Sequence, residues 1–100
     1  LFALVSQAGL LACSALEEDS ETVLTNFEEI QASIQQRGVV EMDLAMCLQL
    51  TGRIMAGREF YGVAAIILTA ALQQWDRLGL AEHRDRCRRD LESAGVTVER

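Results

Sequence analysis

LTAALQQWDRLGLAEHRDRCRRDLESAG, residues 68–95, starts almost wholly apolar and ends as a dense mixture of Arg, Asp and Glu. The apolar part suits a helix with neighbours on every side, and the charged part a helix with one dry stripe. That stripe is Leu80, Cys87, Leu91 and Ala94, with the stem of Arg84 filling the gap. A buried helix followed by a lid is how a stacked helical array looks near one end. Trp75 is expected to be buried, holding the apolar helix against the second helix of the chain and against the lid.

Upstream, periodicity and glycine stops give three more helices, so that the five run over about 1–16, 21–37, 40–56, 59–78 and 80–94. Asp19 or Ser20 caps the second helix, whose stripe is Leu24, Phe27, Ile30 and Ile34. Gly38, Gly57 and Gly79 close the second, third and fourth helices. Val63 to Leu72 reads as apolar all round, hence buried all round. The expected fold class is all-α: five antiparallel helices in stacked pairs, with a closed helical bundle as the alternative. One helical-repeat domain covers 1–95, and 96–100 form a flexible tail in which "VTVE" alone has strand character.

Composition narrows the function classes. Residues 1–50 hold eight acids against Arg37 alone, a net −7, and residues 51–100 hold seven acids against eight Arg, a net +1. An acidic chain is poorly suited to a phosphate backbone, so direct nucleic-acid binding is not expected. The apolar stretches at 1–16 and 63–72 are shorter than the ~18–20 residues that span a bilayer. Three Cys without a C-x-x-C pair fit a reduced, cytoplasmic protein. The chain opens on Leu1 rather than Met and reads as a part of something longer.

A shift of 41 residues lays the second and third helices over the fourth and fifth. Phe27 falls on Leu68, Ile34 on Trp75, Gly38 on Gly79, Glu41 on Glu82 and Leu50 on Leu91. Helix pairs recurring at such a period signal a solenoid. The stretch LQLTGRIMAGREFYGVAAIILTAALQQWDRLG, residues 48–79, resembles a tetratricopeptide-type repeat. Gly52 stands at the small position of that repeat's first helix, and Ala64, Leu68 and Ala71 match the small–large–small pattern of its second. Thr51 and Asp76 depart from it, standing where Leu and Pro are usual, and Gly57 comes about two residues early for the turn glycine. The longer period and the Arg-rich last helix are similar to the helical repeats near the C-terminus of large bacterial ATP-binding transcription regulators. The resemblance implies a protein-interaction or sensory module without chemistry of its own.

In the matching register Met46, Gln49 and Arg53 face a groove, with Asp90 the counterpart of Gln49. Gln and Arg can hydrogen-bond a partner's backbone or carboxylate, and Met supplies adaptable apolar contact. The same residues also suit plain helix surface. The expected occupant is a protein or peptide partner. A purely structural dimerisation bundle without a groove is the alternative. The first helix has no charge before Glu17 and spreads Phe2, Val5 and Leu10 over more than one face. It is expected to form a homodimer interface.

Chemistry has little support. His83 and Cys87 share a helix face at i,i+4, but a zinc site needs three or four ligands and there is no further His. "RDRCRRD", residues 84–90, is balanced by acids nearby, with Asp85 and Arg89 spaced for an ion pair. The acids of "EEDSE", residues 17–21, suit a helix start more than a binding site. With no catalytic arrangement and no phosphate loop, neither a catalytic residue, a metal nor a cofactor is expected.

Overall fold

A computed structural model describes residues 2–95, Phe2 by its backbone alone. The expected tail at 96–100, with its "VTVE", lies outside the described residues. The fold is all-α, in the order α1 (Phe2–Ser14), α2 (Ser20–Arg37), α3 (Met42–Gly57), α4 (Tyr61–Leu78) and α5 (Ala81–Ser93). No helix among the described residues is long and apolar enough to cross a membrane.

Side chains set the helix starts. Asp19 caps α2, its Oδ1 accepting the Thr22 backbone N–H at 2.7 Å. Glu41 caps α3 in the same way, accepting the Leu44 N–H at 2.8 Å. That cap holds residues 40 and 41 out of the helix, so α3 begins at Met42 rather than at residue 40. Gly38 and Gly79 end α2 and α4 with φ of 65° and 71°, a region that costs a residue with a Cβ about 1–2 kcal/mol. The third stop differs from expectation. Gly57 remains helical, and Glu59 takes the left-handed conformation at φ 68°.

Consecutive helices pack as α1 on α2, α3 on α4 and α4 on α5, and alternate helices touch as α1 on α3 and α2 on α4. The α3–α4 interface is the largest. The molecule measures 32 × 30 × 17 Å, so its short dimension holds about two helices spaced 8–10 Å apart.

The core draws one face from each helix: Leu4, Ala8 and Leu11 from α1, Phe27, Ile30 and Ile34 from α2, Leu44 and Leu48 from α3, Ile67 and Leu68 from α4, and Cys87 and Leu91 from α5. Val23 rather than Leu24 completes the α2 stripe, and Leu24 is half-buried. The all-round burial expected of α4 is not found. Ile66 is 49% exposed, and Thr69 and Gln73 extend that open line. With neighbours α2, α3 and α5, α4 still has one side that is exposed among the described residues.

Gly52 allows the closest approach. A Cβ there would lie 2.5 Å from the Leu68 Cγ, so any larger residue would force the buried Leu68 side chain to move. Gln74, 3% exposed, fastens the α2–α3 turn to α4. Its Oε1 accepts the Glu41 N–H at 3.0 Å, and its Nε2 donates to the Val39 carbonyl at 2.9 Å. Arg58 does similar work at the end of α1, donating to the Ala15 and Glu18 carbonyls, each at 2.7 Å. Those carbonyls lie where a helix has run out of its own donors.

Candidate functional site

The site begins with the last turn of α4, where Trp75 is fully buried. An indole N–H can only donate, so burial requires an acceptor. Gln49 of α3 supplies it, its Oε1 lying 2.9 Å from Trp75 Nε1. The same amide then donates from Nε2 to Asp90 Oδ2 of α5 at 2.8 Å. One Gln, acceptor on one side and donor on the other, thus joins three helices. The Arg53 Nε stands 3.7 Å from the same Asp90 oxygen. His83 of α5 completes the arrangement, its ring stacked on Trp75 with centroids 4.5 Å apart and planes at 13°.

These contacts form the wall of a 410 Å³ groove lined by Met46, Leu50, Arg53, Trp75, His83 and Arg86 among others. Met46 and Leu50 are one helical turn apart on α3, and each is 51% exposed. The expected groove residues therefore come together. Met46, Gln49 and Arg53 line the space, and Asp90 anchors two of them from α5. Trp75 turns to α3 and α5 in its hydrogen bond and ring stack, where the sequence pointed to α2 and α5.

Sequence reasoning did not assign His83, Leu50 or Arg86 to the groove. Leu50 had a signal, because it shares a face of α3 with Met46 and Arg53. His83 and Arg86 had none, because their side depends on how α5 rotates against α4.

The remaining α5 candidates have structural partners. The buried Cys87 sulfur points to the Leu68 carbonyl at 3.4 Å, while His83 lies on the indole. Burial, and then the charges of Asp90 and Asp76, push the Cys87 thiol up to about 12. Burial likewise raises the half-buried Cys47 thiol, helped by Asp43 and Glu41. Among the described residues no three His, Cys, Asp or Glu side chains are grouped to hold a metal ion. Asp85 faces Arg84 at 3.6 Å and Arg88 at 3.8 Å, in place of the expected Arg89. Arg86 bonds Glu82 at 2.7 Å.

Towards the start of the chain, Leu10 of α1 is 69% exposed and Leu16 63%. Leu10 borders a second groove, of 570 Å³, which runs between α1 and α2 past Leu11, Asn26, Glu29 and Ile30. Val5 is half-buried, and the Phe2 side chain lies outside the described residues. Comparison with known protein families, curated proteins and solved structures finds no match.

Proposed function

We propose that this chain is a non-catalytic protein-interaction or scaffolding module, and that a segment of a partner protein lies in the groove between α3 and α5. The observation that carries this reading is the Trp75–Gln49–Asp90 chain of hydrogen bonds. It fixes a rigid floor beside two exposed apolar side chains, Met46 and Leu50. Exposed, adaptable apolar side chains held on a preorganised wall are the kind of anchor that protein interfaces use.

The wider setting is a proposal of the same kind. Gly52 against Leu68, and the alternate-helix contacts, support stacked helix pairs of the tetratricopeptide type, as in a large bacterial cytoplasmic regulator. A random peptide-display selection against the immobilised chain tests the groove. Selected peptides should lose binding to Met46→Glu while the variant's helical circular dichroism is unchanged. Peptides that bind both proteins equally would rule the groove out.

A second reading has its own observation. Leu10 on α1 and Leu16 in the turn after it are exposed apolar side chains, which favours a structural role in homodimerisation. The two readings concern different residues, on α1 and α2 in one case and on α3 and α5 in the other, and are tested separately.

A further inference from the structure

We infer that the partner segment is acidic, with apolar anchors between its carboxylates. This rests on the groove being a binding site and adds the chemistry of its occupant. The residues lining the groove include two guanidinium groups, Arg53 and Arg86, and no carboxylate. The chain as a whole carries −6, so two guanidinium groups in one groove lining stand out against an acidic molecule.

Each Arg has a carboxylate neighbour outside that lining, Asp90 for Arg53 and the exposed Glu82 for Arg86. Asp90 is held under the rim, its side chain 25% exposed against 65% for Arg53. The 3.7 Å separation in that pair is beyond hydrogen-bond length, so the outer edge of the guanidinium can still receive another carboxylate. Arg86 is 57% exposed and bonds Glu82 through Nη2, and a guanidinium offers five donors in a planar fork. The same groove is lined by Met46 and Leu50, half-exposed, and by His83 stacked on the buried Trp75. An occupant that satisfies this surface places an apolar side chain on Met46 and Leu50 and a carboxylate at each Arg. A basic segment would bring its cations against Arg53 and Arg86, and like charge at close range is unfavourable.

Two end-blocked probe peptides of about ten residues, roughly 33 Å when extended, match the 32 Å length of the molecule. One alternates Leu with Glu and the other Leu with Lys. Binding is read by anisotropy of a labelled peptide and by emission of Trp75, the chain's single Trp. The Leu/Glu peptide should bind and should weaken as salt rises, because exposed charges are screened. The Arg53→Gln, Arg86→Gln double variant should weaken it about tenfold, and the corresponding Arg→Lys variant should restore part of that loss. Both arginines are exposed, and circular dichroism checks that each variant folds. Leu/Lys binding that equals or exceeds Leu/Glu binding, and is lost in Met46→Glu, overturns the acidic assignment while the groove itself stands. Absence of Leu/Glu binding also overturns it, and the display selection then judges the groove alone.

Discussion

Trp75 and Cys87 show how single residues hold the α4–α5 half of the molecule together. Trp75 is wholly enclosed, with its one donor satisfied by Gln49. Truncating a large buried aromatic removes its transfer energy and leaves a cavity, so Trp75→Ala should cost about 3–5 kcal/mol in urea denaturation. A loss near that of a surface substitution would mean that the ring is not in the core. Cys87 makes a chemical prediction. Its thiol is pushed up to about 12 by burial, so the protonated form is the stable one in the fold. The contribution to stability is fully present below the ordinary value of 9.0 and is lost as pH rises towards about 12. Iodoacetamide at about pH 8 acts on the thiolate. Mass spectrometry should therefore find exposed Cys13 labelled first, half-buried Cys47 slower, and Cys87 protected until unfolding. Early labelling of Cys87 would show that α5 opens readily from α4.

At the scale of the element, the caps carry the pH dependence. The Asp19 carboxyl is held below its ordinary 3.8, chiefly because its charged form accepts the Thr22 backbone N–H. A depressed folded value means that this stabilisation is present above 3.8 and is lost as pH falls through the folded value. Thermal stability of the chain should therefore fall as pH drops from about 3.8 through that folded value, and Asp19→Ala should lack this part of the slope. Equal acid sensitivity in both proteins would assign the effect elsewhere.

This cap was legible in the sequence, as were the stops at Gly38 and Gly79, because each is a local device acting within one turn. Other features were not, for physical reasons. Gly57 has the right composition for a stop, but Arg58 is drawn to the carbonyls at the end of α1 and the left-handed turn moves to Glu59. Ile66 lies in an unbroken apolar run, and only the count of neighbours around α4 reveals that one side is left open. The groove lay between these cases. The 41-residue shift made Asp90 the counterpart of Gln49, an equivalent position one helix pair on; that the two are joined at 2.8 Å comes from the packing of α5 on α3. His83 on Trp75 depended on helix rotation, which the pattern does not encode.

For the whole molecule, the asymmetry between its ends sets the last expectation. The α5 side faces water with charged side chains, and Asp85, Glu82 and Asp76 pair with its arginines. Among the described residues, α1 carries no charged side chain. Leu10, and Leu16 in the turn after it, stand more than half exposed, and Leu10 borders a 570 Å³ groove that has Leu11 and Ile30 in its lining. Apolar strips of this kind on soluble proteins mark contact surfaces. A second copy can cover the strip across a two-fold axis, each Leu10 lying in the other chain's α1–α2 groove. Twofold contacts are self-complementary, so one apolar residue acts twice. Sedimentation equilibrium at micromolar concentration should therefore find a dimer, with on the order of 1,200 Å² or more buried in total for a specific interface. Leu10→Glu introduces two charges into that contact and should give a monomer whose helical content is unchanged, since Leu10 contributes little to its own core. A wild-type chain that sediments as a monomer would exclude the interface, and the exposed leucines would then be ordinary surface.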